Sequence, residues 1–463
     1  MRALLTWVPA LAAGLVLRLW MLKDLFQVNG DPEIYGELAK NLLLHGQYGQ
    51  TLDSGAIAPT LIRLPGYPLF LALCFKIFGV ENYFAPTVAQ IVLELLGCVL
   101  LADFAARIAP PKLATGARLT TLWIAVLCPF TASYAAVPMA ETLTLFALAL
   151  AMWSMARFLD RPGWGSGICF ALSISYTALL RPDGILAAFA FAPPMLFGIW
   201  RGSTSWAISR QKLVSISLVC FLLALAPFAA WTWRNWRTFH VLEPLAPRYA
   251  VDPGDDSFPG WQHWVKTWCL DFVSTYNVYW PVPGAPLELN QLPKRAFDSP
   301  QQYTETAALA GYYNSHGQEF TPGIDAQFEH LASERIAAHP LRYYLWLPLG
   351  RMADMWLRPR VENLNIDLDW WVYSRHRAET RFSWYYVALN ALYLVLGAIG
   401  LCLRPRFGIA LFAYMALRSA LLLTVEAPEA RYTLECFPIL FALGGIALSA
   451  AAHRAGTRFR RAT

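Results

Sequence analysis

Ten apolar segments of near-bilayer length constrain this chain more than any other feature. They fall at about 4–22, 83–106, 118–137, 141–158, 166–180, 184–200, 212–233, 382–403, 407–425 and 434–452. A helix crossing the roughly 30 Å hydrocarbon core needs about 20 mostly apolar residues. Several segments fall short of that, so their ends are soft. Backbone polar groups in lipid must be satisfied within the element itself, which makes helices the spanning form here. Composition agrees: 57% of residues are hydrophobic and 15% charged, against about 25% charged in soluble domains. The expected class is an all-α polytopic membrane protein of about 10 transmembrane helices (range roughly 10–13), with interfacial helices and a large outer loop. The first segment is long enough to span and no small-residue cleavage site follows it, so it reads as a span and not a removable leader.

The short loops sort by charge. Arg107, Lys112 and Arg118, then Arg157 and Arg161, Arg201, Arg210 and Lys212, Arg404 and Arg406, and the tail HRAGTRFRR all fall on one face. By the positive-inside rule that face is cytoplasmic, and both termini lie inside. The opposite face receives loop 23–82, the VPMAE turn, the RPDG turn, the long loop 234–381 and VEAPEARY. This divides the chain into an N-terminal transmembrane module (1–233, with the first outer loop 23–82), a large loop region (234–381) and a C-terminal transmembrane module with a basic tail (382–463). Segment 339–359 carries Arg342, Pro348, Arg351 and Asp354 and reads as an interfacial helix on the outer surface. Segment 64–79, short and led by prolines, reads as horizontal or re-entrant. The aromatic stretches WQHWVKTWCLDF and STYNVYWPVPG read mostly as an interfacial belt, with sugar stacking as the alternative. AQFEHLASERIAAH, 326–339, reads as a helix.

Several familiar chemistries are missing. The eight cysteines are isolated, with no CxxC, so neither a zinc site nor a disulfide framework is suggested. There is no Walker loop, HExxH, GxSxG or Rossmann fingerprint, and no histidine shows metal-ligand spacing.

What remains is charge on the outer face. In NGDPEIYGELAKNLLLHG, Ile34, Leu38 and Leu42 recur every four residues, as do Tyr35, Ala39 and Leu43, giving a broad apolar stripe on a surface helix. Asp31 stands at the expected N-cap, Pro32 in the first turn and Gly46 just past the end. Capping alone suffices to explain an acid there. In IRLPGYPLF, Arg63 is a fixed cation, suited to an anionic oxygen or to snorkelling toward headgroups. Arg181 in LRPDG, Arg234 and Arg237 in WTWRNWRTFH, and Arg431 beside Tyr432 stand at outer ends of spans, against the positive-inside rule. Together they favour an outward-facing anionic ligand such as a lipid phosphate, while pairing with Asp183, Glu426 and Glu429 explains some of them. Glu94 and Arg418 lie within spans and are read as structural, with a mutual ion pair open.

The ordered set DPEIYGELAKNLL, RLPGYPLFLAL, PMAETL, LLRPDGIL, APFAAWTWRNWRTF, AAHPLRYYLW and EARYTLECFPIL resembles the membrane glycosyltransferases of family 39 and the related aminoarabinose transferases, over about residues 5–450. The resemblance implies the GT-C fold and a polyprenyl-phosphate sugar donor used on the outer face. It implies a catalytic carboxylate in the first outer loop, which here is Asp31. Pro32 stands where a second acid is often found in the protein mannosyltransferases, which leaves Glu33 a weaker candidate. Carried over motif by motif, the substrate-binding set is Arg63, Tyr67, Glu141, Arg181, Arg234, Arg431 and Tyr432. Arg181, Arg234 and Arg431, with Arg63, would hold the donor phosphate, and Asp31 would take the acceptor proton, inverting the anomeric centre. No cofactor is required and no divalent metal is expected. The expected partners are the bilayer, the lipid-linked donor (hexosyl or pentosyl), and a glycolipid such as that of lipopolysaccharide, a polysaccharide or a protein as acceptor. Nucleic acid is not among them. Family type favours a bacterial inner membrane with a periplasmic active site. A flippase or transporter of lipid-linked sugars is the main alternative, and a non-enzymatic glycolipid-binding assembly protein a further one.

Overall fold

The computed structural model describes residues 2–201 and 208–462, with side chains for 6–201 and 208–457. The basic-tail residues Arg458, Arg460 and Arg461 therefore lie outside the described side chains.

Every one of the ten apolar segments is helical. They are α1 (Arg2–Leu25), α4 (Phe84–Ile108), the pair α5 (Ala114–Val126) and α6 (Pro129–Ala135), α7 (Ala140–Asp160), α8 (Trp164–Leu180), α9 (Leu186–Arg201), α10 (Arg210–Phe239), and the helices Arg377–Cys402, Gly408–Leu422 and Phe437–Ala462. Among the described residues six helices are long and apolar enough to cross a membrane, and the pair α5–α6, bent by 54°, would be a seventh. The bend falls at Pro129, whose ring removes a helical hydrogen bond. The chain is a multi-pass, predominantly helical membrane protein, as expected.

The first outer loop folds into α2 (Asp31–His45), a two-stranded antiparallel ribbon of β1 (Gly49–Thr51) and β2 (Ile57–Pro59), and α3 (Gly66–Phe78). At 13 residues α3 is too short to span. The ribbon was not expected. It is tied to α2, where Asn41 Nδ2 donates to the Gly49 carbonyl at 2.9 Å and the Thr51 N–H donates to Glu37 at 2.7 Å.

Two compact units divide the chain. The first comprises Met1–Asp255, Leu392–Ala416 and Leu434–Thr463, the second Asp256–Ala391 and Leu417–Thr433. In the first, α7 carries charge clusters at its two ends. Glu141 opens the helix, and Asp160 closes it with ion pairs to Arg107 (2.8 Å) and Arg406. Asp103 adds Arg107 at 2.7 Å and Arg118 at 2.9 Å. At 1.5 Å per residue the two ends are roughly 28 Å apart, about one hydrocarbon thickness. Loops sorted to one face by charge thus meet at one end of the bundle. Their sidedness can be read with a Gly456→Cys variant in a Cys402→Ser background. An impermeant thiol reagent is expected to label it only after the membrane is permeabilised; labelling of intact cells would reverse the orientation.

Within the bundle Glu94 does not pair with Arg418. Its partner is Arg18 of α1, whose Nη2 donates to Glu94 Oε1 at 2.7 Å and whose Nε meets Oε2. Arg18 Nη1 also donates to the carbonyls of Gly14 (2.9 Å) and Val126 (2.7 Å). Arg418 Nε donates to the Tyr432 carbonyl at 2.6 Å.

The second unit has its own aromatic core. Trp261, Trp264 and Trp268 are buried there with Tyr313, Phe320 and Phe328. WQHWVKTW is therefore core and not interfacial belt. Its rings are drawn inward by helices Pro300–Ser315 and Pro322–Ala338, whereas Tyr276 and Trp280 of the neighbouring stretch remain exposed. The segment 339–359 contains an 11-residue helix, Leu347–Leu357, whose buried face includes Leu347, Arg351 and Met355. Arg351 points inward, against the expectation for an interfacial helix, because its Nη1 donates to the carbonyls of Lys266 (3.0 Å) and Cys269 (3.1 Å).

Candidate active site

The head of α2 is built differently from the sequence expectation. Gly30, at φ +68°, is the N-cap, and Glu33 reaches back to the Gly30 N–H at 3.3 Å. Asp31 stands inside the helix, so capping does not account for it. Its Oδ1 accepts from Arg63 Nη2 at 3.0 Å, with the two side chains 22% and 28% exposed. The backbone around Arg63 is fixed by the Tyr48 hydroxyl, which donates to the Arg63 carbonyl at 3.0 Å. Arg63 Nε is buried and has no hydrogen-bond partner among the described residues, leaving donor capacity in the guanidinium fork.

One turn along α2, Tyr35 meets the ring of Tyr67 edge-on, centroids 5.1 Å apart. Burial pushes the Tyr35 phenol up to about 12. Its hydroxyl also senses Asp31, Arg63, Glu141 and Arg181, so one neutral phenol stands among four of the charged groups. Tyr67 is fully buried. Its hydroxyl donates to Gln90 at 3.1 Å, and Gln90 donates to the carbonyls of Ala135 and Val137, in the turn that precedes Glu141. Tyr67 thus supports the site from behind. An apolar core of Ala39, Tyr67, Leu71, Ala140, Leu143 and Leu180 holds α2, α3, α7 and α8 together beneath these groups.

Glu141 sits in the first turn of α7, where the helix dipole favours a carboxylate. Arg181 Nη1 pairs with it at 3.0 Å, and Arg181 Nε lies 2.9 Å from Glu435 and 3.4 Å from Asp183. One guanidinium is therefore engaged by three carboxylates. It ties α7, the Pro182–Ile185 turn and the start of the last span. That turn needs Gly184, since a Cβ there would lie 2.3 Å from the Thr177 carbonyl oxygen.

Arg234 has other work. It donates to the carbonyls of Thr60 (2.8 Å) and Tyr48 (2.7 Å) and lies over the rings of Tyr48 and Trp231. It fastens the ribbon region to α10. Arg431 and Tyr432 belong to the second unit, where both engage Glu429, Arg431 Nε at 2.5 Å. The structure therefore gathers Asp31, Arg63, Tyr67, Glu141 and Arg181 about Tyr35 and assigns Arg234 to its scaffold.

Sequence reasoning missed Tyr35, Gln90 and Glu435. In the sequence Tyr35 reads only as part of the apolar stripe, although its place four residues after Asp31 puts the two on one helix face. Glu435 carried a usable signal, an acid in the first turn of an apolar span. The histidines also hold a surprise. Asp367, Asp369 and His376 of the second unit bring ligand atoms within 4.8 Å of one another, a grouping their spacing did not announce.

No family model and no curated protein matches this chain. Solved structures do. The Archaeoglobus fulgidus oligosaccharyltransferase tethered to an acceptor peptide is 12% identical with a TM-score of 0.52, over 97% of this chain and 50% of the other. The archaeal oligosaccharyltransferase AglB of the same organism, with an inhibitory peptide and dolichol-phosphate, gives 10% and 0.50, over 99% and 52%. ArnT from Cupriavidus metallidurans bound to undecaprenyl phosphate gives 14% and 0.40, over 96% and 78%. The chain spans about half the length of the oligosaccharyltransferase. The likeness to that enzyme shows the fold, which is the GT-C fold expected from the sequence.

Proposed function

We propose that this protein is an inverting glycosyltransferase that moves a sugar from a polyprenyl-phosphate donor to an acceptor hydroxyl or amide at the outer membrane face. The observation that carries the reading is the half-exposed Asp31–Arg63 pair beside the neutral Tyr35 phenol. The fold likeness supports it, because the oligosaccharyltransferase is solved tethered to an acceptor peptide and, separately, with an inhibitory peptide and a dolichol-phosphate.

Arg63 binds a phosphate oxygen through its uncommitted donors and stabilises the charge that develops on the leaving phosphate. Asp31 accepts the proton of the attacking group. A carboxylate has two oxygens and about four lone-pair directions, so a bond to Arg63 is compatible with that role. Tyr35 stays protonated near neutral pH and is a hydrogen-bond donor to the sugar or phosphate. A leaving phosphate needs little protonation, so one base suffices, unlike the paired carboxylates of glycosidases. The sugar (hexosyl or pentosyl), the acceptor and the periplasmic placement in a bacterial inner membrane belong to the same proposal.

Binding tests the phosphate contact. Arg63→Ala is expected to weaken binding of undecaprenyl phosphate in nanodiscs by about 10–100-fold, the loss of a charge-assisted hydrogen bond of ~1.5–3 kcal/mol. Lys40→Ala, on α2 with Asp31 but paired with Glu81, is expected to bind like the parent. Equal affinity in Arg63→Ala would remove Arg63 from the phosphate site.

A further inference from the structure

The second unit contains a cleft of about 340 Å³ framed by Trp370, Trp371 and Trp384 with Asp271, Asp354 and Arg358. Its size lies at the low end of the ~300–1,000 Å³ typical of small-molecule sites. Trp370 is the buried centre. Trp371 and Trp384 each meet it edge-on, with centroids 5.9 Å away and interplanar angles of 83° and 89°. These two outer indoles are 51% and 59% exposed, so the cleft offers open aromatic surface.

Two buried donors in the wall point to a ligand. Trp370 Nε1 and Arg358 Nε have no hydrogen-bond partner among the described residues, and their side chains are only 9% and 8% exposed. Buried donors left unmet are costly and uncommon. Arg358 is held in place over the ring of Phe272, 5.1 Å to its centroid, and by Asp354 Oδ2 at 3.4 Å. Asp271 is fixed by Arg295 at 2.6 Å and by Ser274. The wall therefore combines aromatic surface, unmet donors and carboxylate acceptors.

Few ligand classes match that set. An acyl chain would lie against the Arg358 guanidinium and the Asp354 and Asp271 carboxylates without a hydrogen bond to any of them. A phosphate would face two carboxylates. A sugar ring presents an apolar C–H face and hydroxyls that both donate and accept. We infer that this cleft is a carbohydrate-binding subsite, with the sugar's C–H face on Trp371 or Trp384 and its hydroxyls on the Arg358 guanidinium and Asp354. The assignment is independent of the transfer reaction and of Arg63.

The test uses the full-length protein in nanodiscs. Saturation-transfer NMR is run with a panel of neutral, N-acetylated, amino and uronic-acid trisaccharides, alongside Trp371→Ala, Trp384→Ala and the double variant. At least one trisaccharide is expected to bind the parent, with affinity lowered roughly tenfold or more in one of the single variants and in the double variant. Phenylalanine at whichever of the two positions loses binding as alanine (Trp371→Phe or Trp384→Phe) keeps an aromatic face and is expected to retain most of the binding. Undecaprenyl phosphate binding should be unchanged in all of them, which separates failure here from failure at Arg63 and reports a folded protein. No trisaccharide bound more strongly by the parent than by the double variant would overturn the assignment. So would selective quenching of Trp371 and Trp384 by brominated acyl chains that no trisaccharide relieves, which would identify a lipid occupant.

Discussion

Asp31→Asn is expected to abolish sugar transfer while leaving the chain folded. Removing a general base costs about 10²–10⁴-fold in rate. The amide keeps the shape of the carboxylate and an oxygen that can accept from Arg63, so the loss should appear in kcat and little in donor KM. Helix α2 is not at risk, because its N-terminus is organised by Gly30 and Glu33 and not by Asp31. Thermal unfolding of purified parent and variant checks this directly. Asp31→Glu is expected to recover part of the rate, since it restores the base with a displaced oxygen. Parental turnover in a folded Asp31→Asn would remove Asp31 from the chemistry.

Breaking the Arg18–Glu94 pair is expected to have the largest effect on stability. Both side chains are buried, at 0% and 4% exposure, and Arg18 also satisfies carbonyls of α1 and α5. Removing one partner of a buried pair leaves an uncompensated charge, at a cost of ~3–5 kcal/mol. That is a large share of the ~5–15 kcal/mol that stabilises a typical protein. Arg18→Met should therefore lower the yield of monodisperse protein and its unfolding temperature sharply. The double variant Arg18→Met/Glu94→Met should recover much of the loss, because apolar replacement of both partners is often neutral or stabilising. A double variant no better than Arg18→Met would show that the carbonyl bonds of Arg18, and not the charge pairing, carry the effect.

The residues that were legible in the sequence share a physical character. Hydrophobic periodicity is local, so all ten apolar segments and the surface helix after Asp31 could be read directly. The outward arginines were legible because they break a composition rule. So were their neighbours in sequence, Asp183 beside Arg181 and Glu429 beside Arg431, whereas partners distant in sequence were not. Arg63 meets Asp31 across 32 positions, Glu94 meets Arg18 across 76, and Arg181 meets Glu435 from the far end of the chain. Such pairs depend on helix packing, which periodicity does not report. The same limit explains Arg234, whose outer position suggested a ligand although its donors close on backbone carbonyls. The tryptophans divide for a related reason. An aromatic-rich loop looks alike in a core, a belt or a binding cleft, and only folding places Trp264 inside and Trp371 at an open wall. The cap at Asp31 failed by one residue. Gly30 tolerates the positive φ that the entry to α2 requires, a preference that Asp-Pro masked.

The central claim is that Asp31 and Arg63 perform transfer from a lipid monophosphate. The most direct measurement is the fate of a radiolabelled polyprenyl-phosphate sugar incubated with the purified protein in liposomes containing membrane extract. Label is expected to pass to an acceptor with inverted anomeric configuration, with polyprenyl phosphate released in equal amount, and neither product should form with Asp31→Asn. Donor that crosses the bilayer chemically unchanged, at the same rate in parent and Asp31→Asn, would contradict the account and identify a flippase.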